Sequence, residues 1–355
     1  MSPFLRARLP ERAGRRTNLG LLGLSLAAGG TGVLAFGVGA PGPARWVVAA
    51  HGAAGLGLLL LVPWKSVVVR RAARRPLVAR APVGAWALAG LAVLTLLTGV
   101  LHSAGATGPW PATAGLPVLH LHVGLAVATL VALVAHARGR RQRPRRTDLS
   151  RRSLLRTSAL VAGAAAVWGA GEGLLRLTGA PGAERRVTGS FERGTDDPAA
   201  MPVTQWFTDA VPAVDHDAVA IAGGGRVVRV PVADLAGDDA VRAALDCTGG
   251  WYAVQTWRGT RLDRVLAQHL GDVRLPDDGS IEVVSVTGYR RRLPLRDAAD
   301  LLLATSAAGR PLSAGHGAPV RLVAPGRRGF WWVKWVARIE VVDAPSWAQP
   351  PFPLQ

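Results

Sequence analysis

Cys247 is the only cysteine in 355 residues, and it sits in the stretch LDCTGGWYA (245–253). A lone thiol has no internal disulfide partner. Three roles stay open for it: a buried small apolar residue, a reactive nucleophile or a metal ligand. A second set of chemical groups lies far away in the sequence. Five of the eight histidines, His51, His102, His120, His122 and His136, fall in or beside apolar runs of membrane-spanning length. Ionisable residues at that depth are costly and tend to be functional, although any one of them could simply hydrogen-bond a neighbouring helix. His51 and His122 stand out by position. Each lies about five residues into a run of the same sense, which puts both rings roughly 8 Å below the same boundary. Two helices presenting imidazoles at matched depth meet the requirement of a bis-histidine haem b. The small residues of HGAAGLG (51–57) and HVGLA (122–126) leave room for a flat macrocycle. His102 and His120 lie nearer the surface and are weaker rivals.

The elements that position these groups fall into two halves. Apolar runs cover 18–39, 46–64, 82–102, 117–136 and 154–175, each near the twenty residues needed to cross a bilayer. The gaps alternate in charge. Arginines crowd the N-terminus, the second gap carries Lys65, Arg70, Arg71, Arg74, Arg75 and Arg80, and the fourth reads RGRRQRPRRTDLSRR. The first gap holds only Arg45, and SAGATGPWPATAG (103–115) has no charge. Basic residues on the cytoplasmic side predict a multi-pass chain with its N-terminus in the cytoplasm and its C-terminal half outside. A net charge of +19 with a mean hydropathy of +0.24 fits that arrangement. A nucleic-acid binder would carry its basic residues on a folded surface instead of between apolar runs, so nucleic acid is excluded as a partner. The lipid bilayer is the expected one. The last run opens SRRSLLRTSALVAGAAA (150–166), which resembles a twin-arginine export signal; the alternative is a further positive anchor. Such a signal implies that the following domain takes up a cofactor before export.

The expected division is a five-helix transmembrane bundle over 1–180, a linker over 181–200, an α+β domain over 201–345 and a tail over 346–355. In the outer half, VAIAG, RVVRVPV, IEVVSVTG, APVRLVAP and KWVARIEVVD have strand character. TRLDRVLAQHL (260–270) has helical spacing, and LRDAADLLLA predicts a second helix over 296–304. Arg290–Arg292 follow a predicted strand as an exposed edge.

Two longer stretches carry a family resemblance. LDCTGGWYAVQTWRGTRLDRVL (245–266) and GRPLSAGHGAPVRLVAPGRRGFWWVKWVARIEVVD (309–343) resemble the signatures of the sulfite oxidase-type molybdopterin fold. The nearer likeness is to the bacterial branch that includes the catalytic subunit of periplasmic methionine sulfoxide reductase. It covers nearly all of 186–343. The first half is similar, more weakly, to membrane cytochromes b that partner such enzymes. The spacing of His122 and His136, four helical turns, resembles diheme cytochromes b, but Lys65 stands where the second run would need its inner histidine. One outer haem is therefore expected.

The resemblance implies that Cys247 supplies the single protein thiolate to molybdenum, and a soft thiolate suits a metal already held by the sulfur donors of a pterin. Gly249 and Gly250 would let the backbone approach a bulky cofactor. It also implies phosphate and pterin contacts from His316, Arg321, Arg327, Arg328 and Lys334, and from Gln205, Trp206 and Phe207 on the N-terminal side. Arg327 and Arg328 sit in a Pro-Gly-Arg-Arg-Gly loop able to aim guanidinium and N–H groups at an anion; a solvated loop is the alternative. Tyr252 is a candidate donor to substrate or a core residue. Sulfite oxidases surround the metal with arginines, and none follows Cys247 directly, which counts against sulfite. The expected protein is a membrane-anchored molybdenum oxidoreductase that moves an oxygen atom to or from a small extracytoplasmic substrate. It would exchange electrons with haem b and, beyond it, quinone. A haem-free anchor served by a separate cytochrome, and a metal-free sensor or binding module, are the rivals.

Overall fold

The structure, a computed structural model, describes residues 13–73, 83–111, 115–139, 145, 148, 150–205, 210–213, 216–276 and 278–352. It divides into two compact units: Met1–Ala35 with Gly42–Gly189, and Phe36–Pro41 with Ser190–Gln355.

The first unit is helical. Its elements are α1 (Arg15–Gly37), α2 (Pro41–Leu60), α3 (Val62–Ala73), α4 (Val83–Ser103), α5 (Val118–Arg138) and α6 (Arg151–Leu177). Among the described residues, four of these helices are long and apolar enough to cross a membrane, and a fifth span exists if α2 and α3 count as one. The expected count of five thus depends on a bent pair. α2 and α3 meet at 44°. Pro63 explains the break, because it lacks an N–H and its ring collides with the preceding turn. The helices carry their polar bonds inward: Thr95 and Thr129 join α4 to α5 at 2.9 Å. Ser150, the first residue of the Ser-Arg-Arg motif, caps α6 by accepting from the Ser153 N–H.

The second unit is an α+β domain built on two sheets. In chain order its elements are β1 (Phe191–Glu192), β2 (Ala218–Gly223), β3 (Arg226–Pro231), β4 (Asp239–Asp246), β5 (Trp251–Arg261), α7 (Leu262–Leu270), β6 (Ser280–Ser285), β7 (Arg290–Pro294), β8 (Leu302–Ala307), β9 (Arg310–Pro311), β10 (Arg321–Val323) and β11 (Val336–Val342). One sheet runs β1-β5-β8-β10, with β4 on β5 and β9 on β8; the other runs β3-β2-β11-β6-β7. β2 and β3 join through Gly224 and Gly225 at φ 54° and 82°, the two positive values that a tight twisted hairpin demands. The core holds Ile221, Trp257, Ile281, Val283, Leu293, Leu322 and Ile339, all fully buried. α7 buries Leu262, Val265, Leu266 and Leu270, one stripe of an amphipathic helix.

Three expectations change. Residues 296–304 do not form a helix: Leu295–Asp300 is a 3-10 turn, and Leu302–Ala307 is strand β8. β8 pairs with both β5 and β10, and Leu302, Leu303 and Ala304 are fully buried. A continuous apolar run suits such an enclosed strand as well as it suits a helix, and pairing decides. β7 is the end strand of its sheet and Arg290 is exposed, but Arg291 is only 2% exposed and stacks 4.2 Å above the ring of Trp331. The stretch 181–200 carries a 3-10 turn (Pro181–Glu184) and β1, which pairs parallel to β5. In the C-terminal tail, Gln349 exchanges hydrogen bonds with the Arg292 backbone at 3.0 and 2.6 Å.

Gly259, at a bulge in β5, lies against the Leu303 backbone, and an added Cβ would overlap the Leu303 carbonyl oxygen. Gly259→Ala is expected to lower stability by about 1–3 kcal/mol, as overpacking does. Urea unfolding of the detergent-purified protein, followed by tryptophan fluorescence, measures it.

Candidate functional site

The thiol begins a hairpin turn. β4 ends at Asp246, which lies opposite Tyr252, and β5 begins at Trp251, so residues 247–250 make the connection. The Cys247 N–H donates to the Trp251 carbonyl at 2.9 Å, and the Gly250 N–H donates to the Cys247 carbonyl at 3.2 Å. Gly250 takes φ 88°, which L side chains rarely adopt. The Gly249 N–H points back at Cys247 Sγ, 3.3 Å away. The turn thus fixes the sulfur and gives it one backbone donor.

That sulfur lines a cavity of about 110 Å³. Around it stand Gln205 from the N-terminal approach, His316 and Arg321 from the GHG segment and β10, and Lys334 from the VKW segment before β11. Trp251, Phe330, Trp332 and Trp335 form aromatic walls. The GHG segment makes a 3-10 turn that ends on Gly317 at φ 104°, where an added Cβ would press on Arg321 and Lys334 at 3.1 Å. Glycine there lets the loop fold back onto the two cations. Arg321 donates from Nη1 to the His316 carbonyl at 3.0 Å and stacks on the Trp257 ring at 5.1 Å. Lys334 Nζ donates to the Thr204 carbonyl at 2.9 Å and the Gly315 carbonyl at 2.7 Å, joining the N-terminal approach to the GHG loop.

The electrostatics are one-sided. No carboxylate lines the cavity among the described residues. Burial, aided by the neighbouring Arg321, pulls Lys334 down to about 7. Burial alone brings Arg321 down to about 10. His316 falls to about 4 through burial and then through repulsion by Arg321 and Lys334. Burial raises the Cys247 thiol, against opposing help from the Gly249 N–H and from Arg328. Several polar atoms are buried without a hydrogen-bond partner among the described residues: Gln205 Nε2, His316 Nε2 and Arg321 Nε. Ser313 Oγ lies 2.8 Å from His316 Nδ1; if it donates there, His316 Nε2 carries the proton toward the cavity. A surplus of donors and positive charge beside a single thiol calls for an acceptor-rich anion together with a thiolate-binding metal. The residues present therefore fit a sulfur-chelated metal on a phosphate-bearing carrier.

The structure brings Cys247, Gln205, His316, Arg321 and Lys334 together at one cavity. Trp206 and Phe207 lie outside the described residues. Two expectations are corrected. Arg327 and Arg328 do not line the cavity: Arg327 pairs with Asp297 at 2.5 Å, and Arg328 is buried against Asp246. Tyr252 is absent from the lining too, because strand alternation sends it to the face opposite Trp251. The chain's other tyrosine, Tyr289, lines the cavity instead and donates to the Phe330 carbonyl at 2.5 Å. Thr204, Ser285, Thr287 and Trp335 were also missed. Tyr289 and Thr287 belong to the turn between β6 and β7, whose TGY sequence reads only as a hairpin connection.

In the helical unit, the His51 and His122 rings lie 5.9 Å apart at an interplanar angle of 83°. Each Nδ1 is 2.9 Å from a backbone carbonyl, Ala28 for His51 and Thr95 for His122. Both rings thus spend Nδ1–H on the backbone and keep Nε2 as the acceptor, the tautomer a metal-ligating histidine adopts. Glycines make the space: a Cβ at Gly32 would meet His51 Cε1 at 3.1 Å, and one at Gly99 would meet His122 Cε1 at 2.9 Å.

Comparison with known proteins bears on the second unit. Residues 228–349 match the family model for the oxidoreductase molybdopterin binding domain. The chain is 34% identical over 113 residues to mitochondrial sulfite oxidase of Rattus norvegicus, covering 29% of this chain and 21% of the relative. It is 34% identical over 105 residues to nitrate reductase [NAD(P)H] of Hordeum vulgare, covering 26% and 12%. It is 33% identical over 113 residues to the protein-methionine-sulfoxide reductase catalytic subunit of Xanthomonas campestris pv. campestris, covering 28% and 35%. The chain thus spans between about an eighth and about a third of these relatives' lengths, and the near-equal identities single out no branch. The C-terminal unit carries a molybdopterin-binding oxidoreductase domain of the sulfite oxidase kind.

The pKa of Lys334 yields a pH prediction. Its folded value of about 7 lies below its ordinary 10.5. Between those values the unfolded chain binds more protons than the folded one, so stability of the cofactor-free protein rises with pH across that window. Lys334→Met is expected to flatten the rise, as read from urea unfolding at a series of pH values.

Proposed function

We propose that the protein is a membrane-anchored, molybdopterin-dependent oxidoreductase that transfers an oxygen atom to or from a small extracytoplasmic substrate. The observation that carries this reading is the cavity in which one thiol, the buried His316 and Arg321, the half-buried Lys334 and aromatic walls converge, with no carboxylate among the described residues that line it. When bound, a mononuclear molybdenum–pterin centre supplies two-electron oxygen-atom exchange. Cys247 is the residue to ligate the metal. His316, Arg321 and Lys334 bind the anionic part of the cofactor, and Gln205 donates to its acceptor atoms. Trp251, Phe330, Trp332 and Trp335 keep water away and leave one side open to substrate. Tyr289 and Thr287 are the polar groups available to orient that substrate. With no arginine in the turn after Cys247, the site favours a substrate other than sulfite.

The helical unit is proposed to hold one haem b between His51 and His122. Their separation, and the pinning of both Nδ1 atoms by backbone carbonyls, support this assignment. Such a haem exchanges electrons with the molybdenum centre, and membrane quinone is the proposed far partner. The charge pattern of the gaps supports an N-terminus in the cytoplasm and a catalytic domain outside. Ser-Arg-Arg at 150–152 is retained as the export element of that domain, although Ser150 also serves as a helix cap.

Two measurements test these assignments. Cys247→Ser is expected to lose oxygen-atom transfer to background while remaining folded, and elemental analysis is expected to show depleted molybdenum. Wild-type metal content and turnover in that variant would defeat the proposal. His51→Ala is expected to remove the Soret band from purified protein while molybdenum content stays at the wild-type level. An unchanged Soret band, or none in the wild type, would leave the helices as an anchor only.

A further inference from the structure

We propose that the buried Asp246–Arg328 ion pair is a positioning device for Cys247, which holds the backbone of the thiol-bearing turn and keeps the electrostatic field at the sulfur balanced. This inference rests on the molybdenum reading above. Asp246 and Arg328 are 3% and 4% exposed, and they meet through Asp246 Oδ1 and Arg328 Nη1. Their backbones also form an isolated parallel bridge, so the Pro-Gly-Arg-Arg-Gly loop is stitched to the end of β4. Arg328 Nη2 donates to the Cys247 carbonyl at 3.3 Å. Ser190 Oγ donates to the same Asp246 Oδ1 at 2.7 Å and accepts from Arg328 Nη1 at 3.4 Å. The next residue, Gly329, lies flat on the turn: a Cβ there would sit 3.1 Å from Cys247 Cα. Arg328 and the glycine that follows it thus hold Cys247 from its backbone side, through its carbonyl and its Cα.

A buried ion pair is a poor way to gain stability alone. Desolvating both charges offsets most of their attraction, and apolar replacements are often neutral or better. Breaking one partner is different, because a full charge is left beside the metal ligand in a medium of low dielectric. Its sign then decides how readily the neighbouring metal accepts an electron. An unpaired carboxylate disfavours reduction, and an unpaired guanidinium favours it. A merely structural pair predicts no such sign reversal.

The test uses detergent-purified full-length protein loaded with cofactor. Molybdenum is quantified, and the midpoint potential and the Mo(V) paramagnetic resonance signal are followed by redox titration. Asp246→Asn is expected to raise the potential and Arg328→Gln to lower it, each with an altered signal. The Asp246→Asn/Arg328→Gln double variant is expected to return close to wild type, and Arg328→Lys to fall between wild type and Arg328→Gln. Arg226→Gln, which breaks an exposed ion pair with Asp272, serves as the control with no shift. Molybdenum lost in Arg328→Gln but regained in the double variant also supports the proposal. Loaded single variants with wild-type potentials and signals overturn it, as do shifts of the same sign or molybdenum lost from single and double variants alike. A wild-type protein without molybdenum overturns the proposed function, and this inference with it.

Discussion

Uncompensated positive charge inside the C-terminal unit is the constraint on which its architecture depends. Arg321 is 1% exposed, and its guanidinium is served by one carbonyl and two indole faces. Lys334 is held by two carbonyls, and no carboxylate among the described residues lines the space they share. A core that existed only to fold would pair these charges or replace them. Leaving them unpaired is tolerable when an anion completes the site, because binding it recovers the desolvation that folding has already imposed. The sheets act as the frame for this arrangement. β10 delivers Arg321, the approach to β11 delivers Lys334, and the hairpin between β4 and β5 delivers the thiol.

Glycine placement is what makes the convergence possible. Gly317 lets the GHG turn fold onto two long cationic side chains, and Gly250 closes the turn after the thiol. Gly329 removes a side chain where the loop must lie on Cys247. The helical unit uses the same device at Gly32 and Gly99, which leave space for the two imidazoles. In each case the missing Cβ is a close approach between backbone and one of the candidate site residues.

The legibility of the sequence followed the physics of each residue. His51 and His122 could be paired because membrane depth is a one-dimensional quantity, counted along a helix, and their rings do meet. Cys247, His316, Arg321 and Lys334 were singled out through long ungapped stretches, and they line one cavity. Tyr252 was misassigned because adjacency to Cys247 in sequence says little across a hairpin, where alternate residues face opposite sides. Tyr289 was invisible for the complementary reason: it reaches the cavity from a different sheet, through pairings of β6 with β7 and β11 that no local pattern encodes. The helix expected at 296–304 failed because LLLA is apolar in either period, and only the strands on both sides of β8 settle it.

Arg327 and Arg328 show how far a local pattern can go. Two adjacent arginines in a glycine-flanked loop are chemically suited to phosphate, yet neighbouring carboxylates already claim both. Asp297 lies thirty residues earlier in the chain and Asp246 more than eighty, so the competition appears only after folding. Paired with Asp246, Arg328 adds no net charge to the cavity, whose positive charge comes from Arg321 and Lys334. The same sequence thus separates two electrostatic settings: a cavity lined by Arg321 and Lys334, and a closed, neutral pair beside the Cys247 backbone. The separation matters because a carboxylate in the cavity would cancel its positive charge, and a guanidinium without Asp246 would leave a full charge against the turn that carries the thiol.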